Sequence, residues 1–309
     1  MPGRGTAVAI ASLLCGATLA AAGCGLGPGA GVGNVDLTVT REFGAVKMNE
    51  TSAEANESDT VMRFLEGEDE IETRYGGGYV KSIDGAGETE RGGHPYDWFF
   101  FVDGVESPVG AAQVSLSGGE RIWWDLRNWT ASEHVPAVVG SFPAPFTTGW
   151  EGHEPVVAVE CEGGGRACAT VRAALEAEGV KVAAGVAPKD AIRVLVGPWP
   201  HIRADPAVAQ MENGPAESGI YAEFEHRRGG RRLVGLDEEG EPARVFGVEA
   251  GLVAATRRFE GPPVWLVTGT SVAGVRAAAA TLDAGDLRDH YAVVGEAGAV
   301  TPLPLRSGS

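Results

Sequence analysis

The stretch Tyr96-Asp97-Trp98-Phe99-Phe100-Phe101-Val102-Asp103-Gly104-Val105-Glu106-Ser107-Pro108-Val109-Gly110-Ala111, "YDWFFFVDGVESPVGA", decides how the first half of the chain is read. Neighbouring residues of a strand point to opposite faces. Trp98 and Phe100 therefore share one face, and Phe99 and Phe101 the other. A strand buried on one face only would not need rings on both. The row is expected to be a central strand with a helix on one side and a further layer on the other, packed mainly as core, with a ring at the rim left for a ligand. Asp103-Gly104 then marks a tight turn.

Short strands punctuated by glycine surround it. "VDLTVTREFG" alternates as a strand does, and "EIETRY", "YVKSIDG", "AAQVSLSGG" and "RIWWDLR" read the same way. "NETSAEANES" (49–58) reads as a polar connector. "SDTVMRFLEGE" reads as a short helix, with Ser58 and Asp59 as caps and Gly67 as its stop. One helix on a small mixed sheet is a β-grasp-like α+β arrangement, expected over residues 35–130.

Residues 131–154 hold Pro136, Pro143 and Pro145 among Phe142, Phe146 and Trp150, which reads as an ordered linker lying on a domain. Residues 155–305 show three strand-helix-strand units, beginning at Val156, Ile192 and Val264. They predict an α/β sandwich domain. Asp205-Pro206 and Thr270-Ser271 are helix starts. "RRLVGLDEEGEPARVF" is a hairpin, and "GLVAATRRF" a short helix or strand.

The N-terminus speaks to location. After Arg4 comes the apolar run "TAVAIASLLCGATLAAA" (6–22), which has the character of a secretory signal core. Ala21, Ala22 and Gly23 before Cys24 resemble a bacterial lipobox, with Ala where Leu is commonest. The resemblance implies a signal peptide over 1–23 and a lipidated Cys24; an ordinary signal peptide with a chance cysteine is the other reading. The Gly-rich residues 24–34 follow as a flexible tether, ten such residues reaching roughly 17 Å. The expected address is extracytoplasmic, on the outer face of the cell membrane.

Of the remaining cysteines, Cys161 and Cys168 stand in "VECEGGGRACATV". In an exported chain two cysteines with glycines between them point to a disulfide. A metal pair is the rival, but no His or acidic cluster completes a tetrahedral set. With 25 Lys and Arg against 42 Asp and Glu, the formal charge is −17, which argues against nucleic acid.

Residues 61–126 resemble the transcobalamin-like C-terminal domain. "VMRFLE" is similar to the family's helix and "YGGGYVKSIDG" to its glycine-turned strand pair. "DWFFFVDGVESPVGAAQVSLSGGERIWW" is similar to its order of aromatics, Asp-Gly, Gly-Ala, Gly-Gly turn and apolar strand. About a fifth of the chain is covered. The resemblance implies a small α+β domain and an extracytoplasmic ligand-handling or accessory module for a cobalamin-like or other cofactor-sized ligand. The eukaryotic relatives hold cobalamin against a helical barrel, and this chain has none. "RVLVGPWPHIRADPAVAQM" loosely resembles one unit of the peptidoglycan-binding sporulation-related repeats.

For the ligand site the candidates are Tyr75, Gly76, Gly77, Gly78 and Tyr79, where three glycines open the backbone between two rings, with Trp98 on a nearby strand. They are expected to border a cleft facing the second domain; a loose hairpin turn is the plainer reading. "TGTSVAG" (268–274) reads as a β-α turn, without the spacing of a dinucleotide fingerprint. The six His are scattered, with neither HExxH nor Gly-x-Ser-x-Gly, so no catalytic, metal or cofactor site is expected. The expected function is non-catalytic ligand binding from a lipid anchor, the partners being the membrane, a small molecule or a neighbouring transporter. The alternatives are a cell-wall (peptidoglycan) binding module and a structural or partner-docking protein.

Overall fold

A computed structural model describes residues 1, 3, 29–87, 89–163, 165–184 and 186–306. Cys24, residues 25–28 of the tether, and the leader apart from residues 1 and 3 lie outside the described residues. The fold is α+β, strand-rich, with a small sheet carrying one helix followed by a second sheet-rich half.

The first half contains β1 (Gly31–Arg41), β2 (Val46–Asn56), α1 (Val61–Glu68), β3 (Ile71–Arg74), β4 (Tyr79–Ile83), β5 (Glu90–Arg91), β6 (His94–Val102), β7 (Val105–Glu106) and β8 (Arg121–Asn128). The main sheet runs β2-β1-β8-β6-β5, with β7 beside the far end of β6. β1 and β8 are parallel; their other pairings are antiparallel. β3 and β4 form a separate hairpin.

The aromatic row behaves as its alternation requires. Trp98 packs with Val61, Phe64 and Leu65 of α1, and Phe100 stacks on Trp124 on that same side. Phe101 is fully buried on the opposite face, edge-on to Tyr291 of the second half. The further layer expected over β6 is thus the second half itself.

Several local readings change. β1 begins at Gly31, so residues 31–34 are strand and not tether. The polar run 49–58 is mostly β2: an edge strand with solvent on one face and one side has no need of an apolar pattern. Residues 111–119 supply only a 3₁₀ turn at Ala111–Gln113 and a bridge at Ser115. The cap of α1 is Thr60, whose hydroxyl accepts from Arg63 N, and the helix continues through Gly67.

The second half contains β9 (Val157–Cys161), α2 (Arg166–Ala177), β10 (Ile192–Pro198), α3 (Trp199–Ile202), α4 (Pro215–Ser218), β11 (Ala222–Arg227), β12 (Gly230–Leu236), β13 (Pro242–Val245), β14 (Gly251–Thr256), β15 (Val264–Gly269), α5 (Val272–Ala279), α6 (Ala284–Leu287), β16 (Ala292–Glu296) and β17 (Ala299–Leu303). Its main sheet is ordered β17-β16-β14-β15-β10-β9, parallel only across β9, β10 and β15. β11, β12 and β13 make a separate three-stranded sheet.

The third expected unit forms, and the first forms its strand β9 and helix α2 but closes on a single bridge from Val182 to Val157 in place of a strand. Ser271 caps α5 by accepting from Gly274 N. The middle unit does not. After β10 the chain makes α3, a 3₁₀ segment Val208–Asn213 and α4, and its next strand, β11, leaves the main sheet. Pro200, Pro206 and Pro215 interrupt any longer helix there.

β15 is buried on both faces: Val264 and Leu266 join one core, Trp265 and Val267 the other. α2 and α5 cover the second of these. The first is continuous with Phe43, Phe101 and Trp123 of the N-terminal sheet. Residues 131–154 wrap this junction, with Val135 and Val138 in the shared core and Phe146 4.7 Å from Trp265 on the other side. Contact there is close. Gly44, at φ +83, would drive a Cβ to 1.7 Å from the Asp289 carbonyl oxygen. The Cys161–Cys168 disulfide forms as expected and ties the end of β9 to the first turn of α2.

Candidate functional site

The β6–β7 turn is made by Asp103 and Gly104 with φ of +53° and +77°. These left-handed conformations suit a two-residue hairpin turn. The turn puts Asp103 in a buried position, where its Oδ1 accepts from Arg121 N at 2.9 Å. Burial pushes this carboxyl up to about 7, against the pull of the Arg121 and Thr148 hydrogen bonds. Nearby Glu120 adds like-charge repulsion.

Opposite this turn the chain makes a second one. Trp150 and His153 bond backbone to backbone, His153 N to Trp150 O at 2.8 Å, and their rings stack at 4.3 Å. Gly149 permits it: at φ +87 its missing Cβ would sit 1.8 Å from the His153 oxygen. Glu151 is fixed by Arg257 at 2.7 Å.

Between the two turns and the 107–120 loop lies a cleft of about 840 Å³. Val102, Val105 and Val109 give it apolar wall; Glu120 and Glu154 give it charge. Its volume lies in the range of small-molecule sites.

A smaller cavity of about 250 Å³ shares Ser107 with the cleft. It borders the open edge of β6. β5 pairs only at residues 94–95 and β7 only at 101–102, so on the edge away from β8 residues 97–100 have no strand partner. Asp97, Phe99, Trp129 and Glu133 are among its walls.

The residues singled out in the sequence divide. Tyr75 is 86% exposed on a 3₁₀ turn, its ring 5.9 Å from that of Tyr79. Gly76 and Gly77 adopt φ of +74° and +93°, which is what the glycines supply there. The Tyr79 hydroxyl donates to Asp97, and burial with this bond holds the phenol above its ordinary value. Trp98 lines the smaller cavity and is 7% exposed, its Nε1 donating to Ala86 O at 3.2 Å. Tyr79, Asp97 and Trp98 are thus brought together. Tyr75, Gly76, Gly77, Gly78 and Tyr79 line neither cavity. Trp98 points to the α1 side, not toward the second half. In the Gly-Pro-aromatic stretch likened to cell-wall repeats, Trp199 is buried and stacked on Phe224 at 4.4 Å.

The larger cleft escaped sequence reading because the wall facing the β6–β7 turn comes from residues 147–154, which carry no motif. Among the described residues, no group of three His, Cys, Asp or Glu could hold a metal ion, and no helix is long and apolar enough to cross a membrane.

Residues 58–128 match the model of a family described as Domain of unknown function (DUF4430). The match falls on the stretch that resembles the transcobalamin-like domain and is consistent with it. Among solved structures, the chain is similar to a Ruminococcus gnavus ATCC 29149 protein to which metal binding has been ascribed. The identity is 17%, the alignment covers 31% of this chain and 97% of that one, and the TM-score is 0.24, so nothing further rests on it. No curated protein matches the chain.

Proposed function

We propose that the protein is a non-catalytic extracytoplasmic binding module, held at the membrane by a lipid on Cys24, and that a ligand of cofactor size occupies the cleft between the Asp103–Gly104 and Trp150–His153 turns. The observation that carries this is the cleft itself. It has about 840 Å³ of space, mixed apolar and polar walls, and turns on both sides that are fixed by backbone geometry. Preformed, partly apolar concavities of this size are where small molecules bind. The family match supports the same reading, since it spans the β6–β7 turn and the 107–120 loop. The disulfide suits an oxidising compartment. A transporter subunit beside the anchor is the natural recipient of the ligand.

Thermal unfolding in the presence of cyanocobalamin, haem or muropeptides tests the proposal. A ligand at one hundred times its Kd adds about 2.7 kcal/mol to stability. Val109, 44% exposed on the cleft wall, provides the control. Val109→Trp should abolish the shift and leave the unliganded protein within about 0.5 kcal/mol of the parent. If none of these compounds shifts the transition, or if V109W leaves every shift in place, the cleft is not the site.

A further inference from the structure

We infer that the cleft takes an organic cation. The inference rests on the binding reading above and adds the charge class of the ligand. Among the described residues that wall the cleft there is no Lys or Arg, whereas Asp103, Glu120, Glu151 and Glu154 are all present. Two of these carboxylates are already engaged. Glu151 pairs with Arg257, and Asp103 accepts from Arg121 N and the Thr148 side chain. Glu120 and Glu154 remain to meet a ligand.

Glu120 carries the sharper signal. Its Oε1 accepts from Ser117 N at 2.7 Å, but its Oε2 is buried and has no hydrogen-bond partner. A carboxylate oxygen taken out of water without a donor is unfavourable, and a charged donor placed there removes the penalty. Trp150, 5% exposed in the opposite wall, has a buried Nε1 with no acceptor, a donor that a neutral oxygen or nitrogen of the ligand, and not its cationic centre, would satisfy. Two features set the size of the cation. No set of three ligating side chains is gathered for a metal ion among the described residues, and the space is far larger than an ion needs, with Val102, Val105, Pro108 and Val109 along it. An organic ammonium, phosphonium or cationic ring system meets both the carboxylates and the apolar wall. An anion of the same shape would meet uncompensated like charge, and the overall charge of −17 biases encounter in the same direction.

Tetraphenylphosphonium and tetraphenylborate share a shape and differ in sign, and calorimetric titration of the full mature protein with each reads the inference directly. The phosphonium should bind at least about tenfold more tightly than the borate. The Glu120→Gln, Glu154→Gln double variant should lose about fivefold to tenfold in phosphonium affinity. The amide introduced by Glu120→Gln keeps an oxygen for Ser117 N, and circular dichroism with an unchanged melting curve checks that the fold survives. Val109→Trp should block the phosphonium. Equal or tighter borate binding, or phosphonium binding that neither variant alters, overturns the inference. If a neutral or anionic cofactor binds, is blocked by V109W, and the phosphonium does not bind, the charge class is wrong and the binding site stands. If no compound binds at all, both fall.

Discussion

Tyr291 donates its hydroxyl to Asp125 Oδ2 at 3.0 Å, inside a core that neither residue leaves. Asp125 lies on β8 of the N-terminal sheet, and Tyr291 immediately precedes β16 of the second half. The other carboxylate oxygen accepts from Thr40 Oγ1 at 2.6 Å and from Gly44 N at 3.1 Å, and Trp123 Nε1 donates to the same Thr40 hydroxyl at 2.7 Å. The two halves are thus joined by a closed polar chain within an apolar interface. Tyr291→Phe removes one donor and leaves Oδ2 buried and unmet. It should lower stability by about 1–3 kcal/mol, read by urea denaturation. An unchanged midpoint would mean that water reaches the site.

Asp103 makes stability pH-dependent with a definite sign. Its pKa is raised in the folded state to about 7, from an ordinary 3.8, so the folded protein binds the proton more tightly than the unfolded chain. This contribution is lost as pH rises from about 4 through about 7, on the order of 4 kcal/mol in all. Asn fits the left-handed φ at this position and can still accept from Arg121 N. Asp103→Asn should therefore flatten the fall in stability between pH 4 and 8, measured by guanidinium melts at several pH values. A variant with the same slope as the parent would assign the dependence to other carboxylates, among them Glu238, which burial also pushes up to about 7.

The tyrosine hairpin can be separated into parts. Tyr75→Ala, at an exposed ring, should change stability by less than about 0.5 kcal/mol. Tyr79→Phe loses the bond to Asp97 and should cost about 1 kcal/mol. Both are read from denaturant midpoints. Loss of ligand binding in Tyr75→Ala with stability intact would restore the hairpin as a site.

The fold was legible where a physical constraint was local. The alternation of Trp98 to Phe101 foretold a strand covered on both faces, and Ser271 foretold the start of α5. It was hidden where a neighbour decides. Asn49 to Asn56 pair with β1 and turn only the small side chains of Ala53 and Ala55 to the core, too weak an apolar pattern to mark an edge strand whose outer face is wet. Asp205 looked like the cap of a long helix; its Oδ1 does accept from Ala207 N, but the prolines leave only a 3₁₀ segment beyond it. The site was legible in part. The Asp103–Gly104 turn was visible, while Trp150 and Glu154 come to it from a segment that, as sequence, resembles a linker.

Cys161 and Cys168 close a loop with a sequence separation of 7. Replacing both with Ser should reduce stability by about 2.5 kcal/mol on chain-entropy grounds. Non-reducing mass spectrometry of protein purified from its native cells should show one cross-linked peptide, and two free thiols would count against an oxidising location.

Cys24→Ser addresses the anchor. The variant should move from the membrane to the soluble fraction on cell fractionation, with loss of the lipid-modified N-terminal peptide. A variant that sediments with membranes as the parent does would remove the lipoprotein reading.

The core that runs from Phe43, Phe101 and Trp123 into Tyr221, Leu252 and Tyr291 limits how this chain could have been assembled or can be taken apart. A segment cut after residue 130 would carry an unsheathed aromatic face into water. The second half serves as the missing wall of the first, and the two should unfold as one unit.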